Sequence, residues 1–375
     1  MKNRVGLFVL LLLLLVPACA PRDRALQEAT PDEVVLFPVA QDGRWGYIDR
    51  TGKVVIEPKF DDAMCFSEGL ALVLVGEKWG YIDWTGRMVI RPRFDHGFSF
   101  REGRAPINMG GEIWCGTCNM AFGGKWGFIN SRGKHVIEPM FDCACGFSEG
   151  LAPVEVDGKW GYIDRSGRMI IEPQFDLVNG FCEGLAAVGL ESTKPGEPSL
   201  FPPPPLWDGV SGYIDRSGQF VIQPKFTLAD SFTEGLAGVL VEGRWGFIDK
   251  SGSIAIEPAY KSVGRFAEGL AAVESADGKW GYINTAGEMV IEPAFDYALH
   301  FSEGLAAVNR GGRWQYITKT GELAFDWWFD DAWSFKNGLG AVRFISFDLD
   351  PKHFGEVTSD GYVDKQGRFV WWPSR

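Results

Sequence analysis

Residues 151–184 read LAPVEVDGKWGYIDRSGRMIIEPQFDLVNGFCEG. Three short β-rich runs stand out, LAPVEV, WGYIDR and RMIIEP, separated by Asp157-Gly158 and Ser166-Gly167. Each dipeptide can supply the positive φ that a tight hairpin turn requires. In the middle run Trp160, Tyr162 and Asp164 alternate with Gly161 and Ile163, the period of two that places successive side chains on opposite faces of a strand. Pro173 ends the third run because it has no N–H to give to a ladder, and Phe175-Asp176 starts the connector to the next unit. This segment predicts a three-stranded antiparallel meander.

The block is copied along the chain. Trp-Gly recurs at Trp45, Trp79, Trp126, Trp160, Trp245 and Trp280, mostly 34 residues apart or at that interval plus an insertion. Degenerate copies centre on Gly212, Trp314 and Gly361, which makes nine triplets between VVLFPVA (34–40) and FVWW (369–372). Units this small bury their apolar faces only against each other. The recurrent Trp45, Trp79, Trp126, Trp160, Trp245, Trp280 and Trp314 therefore read as structural plugs, and the Gly after them leaves room for close approach of a ring or backbone. Asp49, Asp83, Asp164, Asp215 and Asp249, with Asn130 and Asn284 in the same place, precede a turn where a short side chain accepts backbone N–H bonds. No blade is split between the two termini, so the expected fold is all-β: nine meanders stacked as an open twisted β-repeat array. A closed β-propeller-like ring is the alternative.

The consensus GKWGYID, turn, VIEPxFD, FSEGLAxV resembles the WG-repeat proteins over residues 34–375. It departs from that pattern at Ser211-Gly212, at Gln315 and at Asp360-Gly361. The resemblance implies β-rich repeats and no activity common to the family. A shorter stretch, GKWGYIDRSG, is similar to the aromatic hairpins of bacterial cell-wall-binding repeats.

Residues 1–18 have Lys2 and Arg4, an apolar run from Val5 to Val16 and a small residue before Cys19, the layout of a secretory signal. The run is shorter than the roughly 20 residues a spanning helix needs. Val16-Pro17-Ala18-Cys19 resembles a bacterial lipobox, in which Cys19 would be lipidated, although Pro17 is an atypical occupant; ordinary cleavage near Ala18 or Ala20 is the alternative. Ala20 resembles an outer-membrane rather than an inner-membrane destination. Residues 19–33 are polar and aperiodic, a flexible tether, followed by the repeat domain at 34–375. The formal net charge is −12 and grows more negative once Lys2 and Arg4 are removed. That balance argues against nucleic acid, whose phosphates call for clustered Lys and Arg.

In a repeat scaffold individuality lies in what is not repeated. Insertions at 107–123, 189–210 and 343–359 each enlarge the hairpin between first and second strands, a usual place for binding loops. Cys115 and Cys118 lie in the first insertion, with Cys143 and Cys145 in the next connector. In an exported protein disulfides lead, while a four-cysteine zinc site and free thiols stay open. Trp207, a candidate binding residue, ends a proline-rich FPPPPLW that reads either as a partner-docking strut or as a stiff loop packing on its own scaffold. Near the C-terminus Trp327, Trp328, Trp333, Trp371 and Trp372 enrich one end in aromatics, either to stack on a sugar or partner or to cap the last unit.

No nucleophile elbow, phosphate loop or zinc helix occurs, and His96, His135, His300 and His353 are scattered. The expected function is a non-catalytic cell-envelope scaffold that binds a protein or glycan, without cofactor or metal, touching the membrane only through its lipid anchor. A carbohydrate-binding module using exposed Trp is the alternative, and a hydrolase of envelope polymers follows behind it.

Overall fold

The computed structural model describes residues 35–113, 121–191, 209–348 and 355–372. The Cys19 tether, the Cys115/Cys118 segment and Trp207 lie outside the described residues. Among those residues the strands form nine antiparallel sheets, seven of four strands and two of three. The meander is as read from the sequence: in the Trp160 repeat, Leu151–Val156 pairs with Lys159–Asp164, which pairs with Met169–Phe175. A two-residue leading strand, Cys143–Ala144, is added on the free side of the first strand. The connector that looked like a loop thus contributes a fourth strand.

Turn chemistry follows the residues. Asp157 and Gly158 both have positive φ, 51° and 75°, the pair of left-handed residues that a two-residue hairpin needs. Asp164 Oδ1 accepts the N–H of Ser166 (2.9 Å), the N–H of Arg168 (3.1 Å) and the Ser166 hydroxyl (2.6 Å). The Ser166 hydroxyl, foremost, and the two amides hold its carboxyl below the usual 3.8. Asn130 accepts the corresponding amides of Arg132 and Lys134 at 3.0 and 3.1 Å.

Both faces of each second strand are buried, and this determines how repeats stack. Ile163 packs among Trp126, Phe128 and Phe147 on the side of the preceding repeat, whereas Tyr162 packs among Phe175, Phe181 and Ile214 on the side of the following one. The Tyr162 hydroxyl donates to the Asn179 carbonyl at 2.7 Å, and Tyr81, Tyr213, Tyr282 and Tyr316 each donate to the carbonyl 17 residues on. A sheet with two apolar faces needs a neighbour on each.

The described residues fall into two compact units. One runs from Met64 to Phe232; the other joins the stretch up to Ala63 to residues from Thr233 onward. Within the second unit, the first repeat packs on the last. Tyr362 of the Gly361 repeat donates to the Pro38 carbonyl at 2.9 Å, and Phe37, Val39 and Ile48 share an apolar cluster with Leu339, Tyr362 and Trp371. This is the same Tyr-to-Ile interlock that joins consecutive repeats. The expected open array is therefore wrong, because an open array would leave the outer faces of its first and last units unpaired. The fold class is the β-propeller. Closure needs no split blade here, since side chains of the two terminal repeats do the joining.

The glycine of each Trp-Gly proves to be a steric necessity within its own sheet. A β-carbon at Gly127 would lie 2.6 Å from both the Ile137 carbonyl oxygen and the Pro139 nitrogen. Here the third strand bulges over the second, as the register shift between Trp126 and Phe128 records. The tryptophan is less uniform: Trp79 is fully buried, Trp126 and Trp280 nearly so, and Trp45, Trp160, Trp245 and Trp314 only half-buried.

Candidate functional site

The aromatic residues near the C-terminus make the most distinctive surface. In the Trp314 repeat Gln315 stands where other repeats have Gly, and Phe325-Asp326-Trp327 stands where most of them have Ile-Glu-Pro. A side chain at the Gly position cannot coexist with the bulge seen elsewhere, and the third strand of this sheet is lost: beyond the turn, isolated contacts at Leu323, Ala324 and Phe329 still join the segment to the second strand. Gln315 is buried, and its Nε2 has no hydrogen-bond partner among the described residues. The interrupted segment turns Trp327 and Trp328 outward, 47% and 41% exposed.

Trp327 then meets the last repeat. Its ring lies 5.2 Å from Phe369, centroid to centroid and near-perpendicular; Phe369 lies 5.5 Å from Trp372, and Trp372 lies 4.8 Å from Phe344. Edge-to-face contacts of this kind satisfy the ring quadrupoles and leave ring faces toward solvent: Phe369 is 37% and Trp372 44% exposed. Phe329 closes the cluster from the buried side, 5.4 Å from Phe344. Contiguous exposed apolar surface of this sort commonly marks a binding region.

Trp333, 40% exposed, carries the Arg343 guanidinium 5.2 Å above its ring. Arg343 also grips Asp360, directly opposite in the strand register, with bonds of 2.6 and 3.1 Å. Asp360 stands where most other repeats have the Trp of Trp-Gly, which faces Leu74 or Leu240 in some repeats and Glu155 or Glu274 in others.

Of the aromatic residues expected to bind, the structure joins Trp327 to Trp372 through Phe369. Trp371 is half-buried in the cluster shared with the first repeat and is scaffold. Phe344 and Phe369 were not singled out by the sequence: Phe369 stands where other third strands carry Val54, Met88 or Phe220, so no repeat-specific signal marks it. Cys143 and Cys145 are free thiols. Burial pushes Cys143 up to about 11 and Cys145 up to about 12, which keeps both protonated and poorly nucleophilic. Cys182 is buried and Cys65 exposed.

The extended hairpins bear out two of the insertions: Ala105–Ile113 with Ala121–Ile129, and Leu339–Asp348 with Gly355–Asp364. The middle insertion is bounded by the paired strands Ala186–Leu190 and Val210–Ile214. Among the described residues no group of three or more His, Cys, Asp or Glu could hold a metal, and no helix is long and apolar enough to cross a membrane.

A β-propeller of short repeats with an exposed aromatic surface belongs to a class whose fold suggests a binding or scaffold role. The chain itself belongs to the WG containing repeat family, which matches residues 45–79, 79–112, 126–160, 160–192, 212–245, 245–280 and 280–314. No protein with a curated description matches the sequence. Among solved structures it is similar to the computationally designed Ika8 protein, at 13% identity over 91% of this chain and 100% of that one with a TM-score of 0.47. BamB from Moraxella catarrhalis is similar at 13% identity over 83% and 97% with a TM-score of 0.44. The WD40 β-propeller domain of Doa1 matches at 10% identity over 82% and 92% with a TM-score of 0.33.

Proposed function

We propose that this protein is an exported, non-catalytic scaffold of the cell envelope, anchored through lipidated Cys19, that holds a protein or glycan against the aromatic surface around Trp327. The signal layout of residues 1–18 and the lipobox-like Val16-Pro17-Ala18-Cys19 support the location. The observation that carries the binding role is the Trp327–Phe369–Trp372 cluster, because these rings are exposed across two neighbouring repeats, one of which has given up its regular third strand and presents Trp327. Aromatic side chains offer large contact area at small entropic cost. Recognition of a glycan is favoured specifically by the adjacent exposed Trp327 and Trp328, whose faces suit sugar rings.

Co-sedimentation with isolated cell-wall material and affinity capture from the native envelope test the reading together. The paired replacement Trp327→Ala and Trp372→Ala should abolish retention while leaving thermal unfolding in place. Retention equal to the parent protein by both measurements would refute it, and turnover of an envelope polymer would replace it with a hydrolase.

A further inference from the structure

A second feature, independent of the aromatic surface, emerges from comparing repeats within this one molecule. In the second to eighth repeats the turn before the first strand contains Glu-Gly, and the Glu is left-handed, with φ of 52–55° at Glu102, Glu149, Glu268 and Glu303. Each of these carboxylates accepts the N–H of the matching Gly one repeat later: Gly150, Gly184, Gly304 and Gly338, at 2.9–3.0 Å. Each also takes a cation from the turn between second and third strands of that later repeat: Arg165, Arg216, Lys319 and Lys365, at 2.6, 2.8, 3.0 and 3.2 Å. Glu, Gly N–H and Lys or Arg form one recurring device.

At the junction of the last repeat with the first, the device is altered. Asn337 occupies the Glu position with the same left-handed backbone, φ 53°, but a neutral carboxamide replaces the carboxylate. Arg50, in the turn Asp49-Arg50-Thr51-Gly52, occupies the place of Arg165 in Asp164-Arg165-Ser166-Gly167. Among the described residues Arg50 makes no ion pair or hydrogen bond. Arg50, Asn337, Gly338, Lys365 and Arg368 line a cleft of about 290 Å³. Lys365 is paired with Glu303, and Arg368 with Asp364 at 2.7 Å, so of the three cations that line this cleft Arg50 is the one without a carboxylate among the described residues.

We propose that this cleft takes the carboxylate of an acidic side chain from a partner polypeptide, which supplies to Arg50 what Glu supplies to its counterparts in other repeats. The internal precedents give the chemistry: in each, a Glu side chain on a polypeptide meets the cation and a backbone N–H. The cleft is also of side-chain size. Val370 lines it, and Phe369, which precedes it in the strand, is an exposed ring, a setting that suits a polypeptide with an apolar residue near its acid. An exposed charge-assisted contact of this kind is salt-sensitive.

The test uses the full chain and a fluorescein-labelled hexaglutamate peptide, read by fluorescence anisotropy at low and at high salt. Arg50→Ala should weaken binding about fivefold, the scale of one partly exposed ion pair. Asn337→Glu should weaken it as much, because the protein then furnishes its own carboxylate, and its unfolding temperature should not fall, since Glu adopts this backbone in the sister turns. Arg165→Ala, which removes a cation already paired, should leave binding within about twofold. Peptide affinity unchanged in both Arg50→Ala and Asn337→Glu would overturn the proposal. So would a loss in Arg165→Ala as large as in Arg50→Ala, or binding of hexagalacturonate with none of the peptide. Trp327→Ala should not alter the Arg50 effect, which separates this outcome from failure of the aromatic reading.

Discussion

At Gly161 a β-carbon would be driven against the Ile171 carbonyl oxygen and to 2.8 Å from the Pro173 nitrogen, whereas at Gly158, with φ of 75°, it would meet nothing within 4 Å. Two glycines three residues apart in one repeat are thus needed for different reasons. Gly161→Ala should destabilise by about 2–4 kcal/mol, through overpacking against backbone that cannot rotate away; Gly158→Ala should cost about 1 kcal/mol, the conformational penalty alone. Urea unfolding of the two variants compares them directly, and equal midpoints would deny the steric account. Asp164 adds a pH signature. Its carboxyl is held below 3.8 in the folded protein, chiefly by the Ser166 hydroxyl. Its contribution is therefore complete above the unfolded carboxylate range and fades as pH falls through the lowered folded value. Asp164→Asn, the solution already present at Asn130 and Asn284, should keep the turn near neutrality and flatten that repeat's share of the acid loss. Unfolding midpoints at pH 3 and pH 6, in parent and variant, are the measurement.

One substitution in a second strand changes a whole element. Regular third strands coexist with Gly because the bulge at Ile-Glu-Pro rides directly over it; with Gln315 in that place and Trp327 in the proline's, the strand breaks and its aromatic residues turn outward. The pair should behave as one unit. Gln315→Gly alone leaves a void under an interrupted strand and should lower stability by about 1–2 kcal/mol, while Gln315→Gly combined with Trp327→Pro should recover that loss and also remove retention on cell-wall material. Additive destabilisation in the thermal scans would show that the two positions are uncoupled. The aromatic enrichment itself was legible in the sequence, since Trp327, Trp328 and Trp372 are conspicuous in a line of letters. Which of them meet was not, because Trp371 and Trp372 are adjacent and only tertiary packing sends one into the shared core and the other to the surface. The same holds for Arg50 and Asn337: the exchange of Glu for Asn is visible, but its meaning depends on residues nearly a whole chain apart sharing one cleft.

At the scale of the whole molecule, joining the first repeat to the last changes how damage spreads. In an open array the loss of a terminal repeat removes one interface and leaves the remainder close to its former stability. Here, deleting residues 35–60 would uncover Leu339, Tyr362 and Trp371, and the truncated protein should lose on the order of 10 °C or more in unfolding temperature and become sensitive to limited proteolysis in its last repeat. Tyr362→Phe, which removes only the hydroxyl that donates to Pro38, should cost about 1 kcal/mol. A truncated protein that melts like the parent would argue for independent ends. The sequence by itself determined the three-stranded meander of the regular repeats, its turns, the number of repeats and their common phasing, because hairpin chemistry and period-two burial are local properties; the short leading strand and the lost third strand of the Trp314 repeat came from the structure. Only the tertiary structure decided between open and closed, since closure depends on how a small rotation between neighbours accumulates and on whether the last tyrosine finds the first repeat; neither quantity is encoded in any single unit.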